Sequence, residues 1–156
     1  MDGELDPETV ETRLEAVEQY LLYLRESNPY YAWLEPEVEA VERGFVRLGQ
    51  EPSERVRPPE VGPTTGINGG VLMTLADAAG MAAIIAEALE PVPLATTRLD
   101  VSFHNGVDET HAIEAEVLDY GSTLATARIE VLPKSEVGAA DPEIVASGEA
   151  TARLFE

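Results

Sequence analysis

Residues 66–77 read GINGGVLMTLAD: the turn Asn68-Gly69-Gly70 runs straight into an apolar segment that carries a lone carboxylate, Asp77. From Val71 to about Leu89 the chain sets Ala76, Ala78, Ala79, Gly80, Ala82, Ala83, Ala86 and Ala88 among Leu, Met and Ile, and Pro91 and Pro93 then stop it. A helix so poor in polar groups is a buried helix, and its small residues let a sheet approach closely. This segment decides the fold, because everything else must be arranged around it.

Downstream of the helix the pattern is that of strands. Leu99, Val101 and Phe103 alternate with Asp100, Ser102 and His104; Ile113, Ala115 and Val117 repeat the alternation. Gly121-Ser122 suits a turn, after which Ala125, Ala127, Ile129 and Val131 resume it. Residues 134–142 read as a surface loop, and Ile144 to Leu154 as a last strand with Ala146, Gly148, Ala150 and Ala152 on one face. Upstream, Val38 to Leu48 reads as one strand with Val38, Ala40 and Glu42 on one face and Gly44 as a bulge. Pro52, Pro58, Pro59 and Pro63 exclude regular helix through much of 49–67. Asp6-Pro7 is a helix start, with Val10, Leu14, Val17, Leu21 and Leu24 as its apolar stripe and Asn28-Pro29 as its end. The aromatic stretch YYAWL (30–34) follows as a short helix or turn. The sum is an α+β chain: one strand, a buried helix, then four antiparallel strands wrapped around it.

At 156 residues the chain is long enough for one domain with a sizeable core. Asp plus Glu total 30 against 10 Lys plus Arg, a formal charge of −20. Such a surface repels nucleic acid and excludes that class of function. The absence of cysteine excludes thiol catalysis, disulfides and thiolate metal sites, and with only His104 and His111 a histidine-rich metal site is not expected. No apolar run is expected to cross a bilayer and the acidic N-terminus lacks the basic start of a signal peptide, so a cytoplasmic location is expected.

Two features of the quoted stretch carry chemistry. Gly69 and Gly70 sit where helical N–H groups lack intrahelical acceptors, and without side chains they let a carbonyl oxygen come close to a partially positive helix end. The same pair also serves simply as a tight helix entry. Asp77 is a poor residue for a helix interior, and at helical spacing its neighbours are Met73, Gly80, Met81 and Ile84. A carboxylate there is either a reacting group or a half-exposed Asp bonded to a nearby hydroxyl; the residues alone leave both open.

The stretch resembles the signature of hotdog-fold acyl-CoA thioesterases of the phenylacetate-pathway type, G-x-H-G-G followed by an apolar helix bearing L-A-D. TTRLDVSF, AEVLDYGSTLATARIEV and IVASGEATARLF resemble that family's later strands, so the likeness covers roughly residues 35–156. It implies a hotdog domain over 35–156 behind an N-terminal helical extension, 1–34. It also implies Asp77 as general base or nucleophile, Gly69 N–H as oxyanion donor, and Thr96, with Thr97 beside it, as the hydroxyl that positions water. Gly70, Thr97, Gly121 and Ser122 would bind substrate, with coenzyme A entering only as part of it and no cofactor or metal needed. The site would be completed by a second copy in a homodimer or homotetramer. Three positions depart from the family. Asn68 replaces its usual histidine, where its amide would orient the reactants together with Thr96, and an amide also makes a good helix N-cap. Gly62 and Pro63 occupy the place of an upstream polar residue. FHNGV, at 103–107, lacks the arginine and proline that would meet a CoA phosphate. A non-catalytic acyl-binding or regulatory protein on the same fold is therefore the alternative.

The spread of acids along the whole chain predicts a protein suited to concentrated salt, where a Debye length of roughly 3 Å at 1 M screens self-repulsion. The thermal midpoint should rise from low salt to molar KCl. A midpoint independent of salt would contradict this reading of the charge.

Overall fold

The computed structural model describes residues 4–57 and 66–156. In chain order it contains α1 (Pro7–Ser27), α2 (Pro29–Leu34), β1 (Glu37–Glu42), β2 (Phe45–Gln50), α3 (Gly69–Ala88), β3 (Leu94–Phe103), β4 (His111–Tyr120), β5 (Leu124–Pro133) and β6 (Ala146–Leu154). The six strands form one antiparallel sheet in the order β1-β2-β4-β5-β6-β3, and α3 packs across it. This is the hotdog arrangement, with α1 and α2 added at its N-terminal side.

The central helix is 20 residues long, and Leu72, Leu75, Ala76, Ala79, Ala83, Ile84 and Ala86 along it are all buried. Each fully buried Leu or Ile contributes on the order of 1.5–3 kcal/mol, so α3 is the chief apolar anchor of the sheet. Its small residues set the separation. A Cβ added at Gly80 would stand 2.9 Å from the Cβ of Ala150 on β6, closer than side chains pack, with the Ile129 side chain of β5 next to it. By length and composition α3 is also apolar enough to cross a membrane, contrary to the expectation that no segment is. Here 61% of that apolar stretch is buried inside the protein, as in the core helix of a sheet-packed domain.

The N-terminal helix is as expected: Asp6 caps it by accepting from Thr9 N–H at 3.0 Å, and Pro7 opens its first turn. Asn28 ends α1 and its side chain caps α2, accepting from Tyr30 N–H at 3.0 Å. The single strand expected over 38–48 is instead a hairpin. Gly44 takes φ +70 in the two-residue turn between Glu42 and Phe45, reversing the chain where a bulge would have continued it. A register shift between Val38 and Ala40 also breaks the expected face, so Val38 and Val41 are the residues that pack on the core. β6 begins at Ala146, two residues later than read, and a short 3-10 turn, Lys134–Glu136, lies inside the expected loop.

His111 is neither surface-exposed nor fully satisfied. It is 0% exposed at the start of β4, paired in register with Gln50 of β2. Its Nδ1 lies 3.2 Å from the Glu109 carbonyl, while Nε2 and the facing Gln50 Oε1 have no partner among the described residues. Burial lowers the pKa of this imidazole, and the Glu109 carbonyl only partly opposes that. The unfolded chain therefore binds the proton first. Its contribution is constant above the ordinary histidine value near 6.5 and stability falls as pH drops below it, by up to about 1.4 kcal/mol per pH unit. Urea titrations should show this extra slope in the wild type and not in His111→Gln; identical slopes would contradict it.

Candidate active site

The N-terminus of α3 is fixed from three sides. Ile67 N–H donates to the Val107 carbonyl at 2.9 Å and Asn68 N–H to the Val56 carbonyl at 2.7 Å. Asn68 is the N-cap: its Oδ1 accepts from Gly70 N–H at 2.9 Å. That bond occupies Gly70 N–H, whereas no described residue accepts from Gly69 N–H. The aromatic ring of Phe103, at the end of β3, lies over Gly69, where a Cβ would meet it at 3.4 Å. At position 70 a Cβ would crowd the capping oxygen at 3.1 Å. A side chain at position 69 would rest against the ring and one at 70 would press on the cap, so the two glycines leave the first amide of the helix uncovered beside Phe103.

Two turns on, Asp77 is half-buried, and Thr96 Oγ1 donates to its Oδ1 at 2.7 Å. The link between them is the register of β3. Thr96 pairs with Ala152, whose side chain faces the helix, so the Thr96 hydroxyl also points inward. A register shift between Thr96 and Arg98 then turns Thr97 away, and its hydroxyl donates to the Thr151 carbonyl at 3.1 Å. Thr96 rather than Thr97 therefore joins the carboxylate. The apolar surroundings expected for Asp77 are present: Gly80 and Ile84 are buried, and Met73 and Met81 half-buried.

Within one chain these groups do not form a single centre. Eight residues of helix separate Gly69 from Asp77, about 12 Å along the axis, too far for one carbonyl and its attacking water. Gly121 and Ser122 lie in the β4–β5 turn, which Gly121 N–H closes on the Leu124 carbonyl at 2.8 Å. The phenol pKa of Tyr120, just before it, is raised first by burial and then by the charges of Glu90 and Glu87 at the C-terminal end of α3, the end opposite Gly69. Asp77 itself lies beside β3, an edge strand of ten residues that pairs on one side only among the described residues.

Tyr31 was not singled out by its sequence, where YYAWL looks like packing. Burial raises its pKa first, and the neighbouring charge of Asp77 raises it further, so the phenol stays protonated close to the carboxylate. The Tyr30 hydroxyl lies 3.3 Å from Thr74 Oγ1, one turn before Asp77, which holds α2 against α3. No local spacing announces a contact between residues so far apart in the chain. His104 is engaged elsewhere, its Nε2 2.7 Å from Ser147 Oγ. Gly62 and Pro63 lie outside the described residues. Among the described residues no three His, Asp or Glu side chains gather as a metal ion would require.

The thioesterase superfamily model matches residues 66–140. A crystal structure of a protein from that superfamily is 30% identical, with a TM-score of 0.70, covering 93% of this chain and 99% of its own. An esterase-named protein of Halobacterium salinarum is 34% identical over 97 residues, 60% of this chain, and the match spans 64% of that relative's length. Two more distant structures share the fold. The E. coli PaaI protein from the phenylacetic acid degradation operon has 15% identity and a TM-score of 0.75, with 92% and 96% coverage. A hypothetical thioesterase of Streptococcus pneumoniae, solved with coenzyme A, has 16% identity and a TM-score of 0.62, with 77% and 85% coverage.

The cap can be tested apart from any chemistry at the turn. Asn68→Ala should cost about 0.5–2 kcal/mol in urea unfolding, and Asn68→Asp should retain most of it. No loss in the alanine variant would show that the Asn68 side chain does not hold the helix start.

Proposed function

Since this chain belongs to the thioesterase superfamily, we propose that it hydrolyses an acyl-CoA or aryl-CoA thioester with Asp77 as the reacting carboxylate. The observation that carries this reading is the hydrogen bond from Thr96 to Asp77, made on the inner side of an unpaired sheet edge. An edge strand of ten residues with half-buried Leu99 and Val101 and exposed Phe103 is a surface that a second copy would cover. Two-fold pairing there sets Asp77 of one chain against the helix start of its neighbour. The resulting homodimer, alone or paired into a tetramer, supplies carboxylate and oxyanion donor from different chains.

In that site the thioester oxygen is held by Gly69 N–H, where the helix end favours developing negative charge. Asp77 takes a proton from water as the water oxygen bonds to the carbonyl carbon, or attacks that carbon itself and is later released by water. Collapse of the tetrahedral intermediate breaks the C–S bond, and the thiolate takes up the proton, leaving a carboxylic acid and free CoA thiol. Thr96 holds one carboxylate oxygen and so directs the other toward the reactants. Asn68 does less than a histidine would: its oxygen is committed to the cap, and its amide cannot relay a proton. Coenzyme A as the carrier is supported by the resemblance of the motif and by the ligand of the S. pneumoniae relative.

Thiol release from a panel of acyl-CoA substrates in molar KCl, with wild type and Asp77→Ala, tests this directly. The variant should lose at least about 100-fold in kcat with an unchanged circular dichroism spectrum. Undiminished turnover in the variant would remove Asp77 from the reaction. Thiol release from no substrate would favour the acyl-binding alternative, for which the commitment of Asn68 to the cap is the supporting observation.

A further inference from the structure

Beside Asp77 there is a cavity of about 130 Å³ that none of the reacting groups explains. Its floor is one stripe of α3, Ala78, Met81, Ala82 and Ile85. On a helix, residue 78 follows Asp77 directly and residue 81 stands one turn beyond it on the same side. The opposite wall comes from the N-terminal helices, with Leu24 of α1 and Tyr31 of α2, and from the β1–β2 hairpin. Tyr31 belongs both to this cavity and to the surroundings of Asp77. The cavity and the carboxylate thus share neighbours, Ala78 next to Asp77 in the helix and Tyr31 across from it. The contact between Tyr30 and Thr74 keeps α2 seated on α3 beside it, and Gln50 Nε2 ties the end of α2 to the sheet by donating to the Leu34 carbonyl at 2.9 Å.

Resting on the thioesterase reading, we propose that this cavity receives the acyl group, and that Leu24 and Tyr31 of the N-terminal helices set its length. A cavity of about 150 Å³ lined by aliphatic and aromatic side chains stays dry and holds a benzene ring. Floor and walls here suit a compact uncharged acyl group, a single ring or a hexanoyl-sized tail, better than a long fatty chain. Charged tails are excluded by the lining. Its one ionic residue, Arg25, already lies 3.7 Å from both Glu26 and Glu37, and it donates to the Pro36 carbonyl at 3.3 Å. A carboxylate entering the cavity would be desolvated against apolar walls without a free cation.

Leu24 is half-buried on α1 and is the position to alter. Acetyl-, hexanoyl-, dodecanoyl- and succinyl-CoA would be compared by thiol release in molar KCl for wild type, Leu24→Trp and Leu24→Ala. Wild type should favour hexanoyl-CoA over each of the others by at least about tenfold in kcat/KM. Leu24→Trp should lower the hexanoyl-to-acetyl ratio at least tenfold, and Leu24→Ala should shift the preference toward the longer chain. Opposite shifts from the two substitutions are what a merely structural role would not give. If the tryptophan variant fails to fold, the alanine variant alone carries the comparison. An unchanged chain-length profile in a folded, active variant, or succinyl-CoA turned over as well as hexanoyl-CoA, would overturn the assignment of the cavity while leaving hydrolysis intact. Wild type inactive on all four substrates and on single-ring benzoyl- and phenylacetyl-CoA would overturn both.

Discussion

The close approach of α3 to the sheet is the constraint on which the rest depends. Gly80 stands so near Ala150 that no side chain fits between them, and a line of alanines continues the contact on both surfaces. Small residues on the helix demand small residues on the strand, since interiors are packed to nearly crystalline density. That seating fixes the rotation of α3 about its own axis. Its start then points past the end of β3 toward the Phe103 ring, and Asp77 meets Thr96 on the outermost strand. A helix rolled by one residue would carry Asp77 about 100° around the axis, away from Thr96.

Much of this could be read from the residues because it is local. Alanine-rich composition bounded by an Asn-Gly-Gly entry and by Pro91 specifies α3 without reference to anything else, and period-two alternation specifies β4 and β5. The pairing of Thr96 with Asp77 was reachable only through the family likeness, because it depends on which strand lies at the sheet edge and in what register. The hairpin at Gly44 escaped because Arg43-Gly44 lacks the Asn-Gly or Asp-Gly pair that marks most two-residue turns, so a strand with one glycine reads equally as a bulge. Tyr31 and the cavity escaped for a different reason. They are made by helices and a hairpin far apart in the chain, and only packing brings them beside Asp77.

The charge and the chemistry act at different distances. An acid-rich exterior governs solubility and would govern how a polyanionic substrate is met, whereas in the proposed reaction the first amide of α3 and the Asp77 carboxylate act within hydrogen-bonding reach. The replacement of histidine by Asn68 fits this division. Asn68 caps the helix start, where its amide oxygen holds Gly70 N–H, and in the proposed reaction proton transfer falls to the carboxylate. The apolar cavity between α1, α2 and α3 adds a third scale, which under the acyl-group proposal discriminates by bulk instead of by charge.

The central claim is that the carboxylate and the oxyanion donor of each site come from different chains. Complementation measures this directly. Asp77→Ala and Gly69→Val chains, each inactive alone, would be co-expressed and the mixture assayed for thiol release. Random pairing makes half of the dimers mixed, each with one intact site, so about a quarter of wild-type activity should return. Mixed dimers that form and stay inactive would contradict a site shared between two chains.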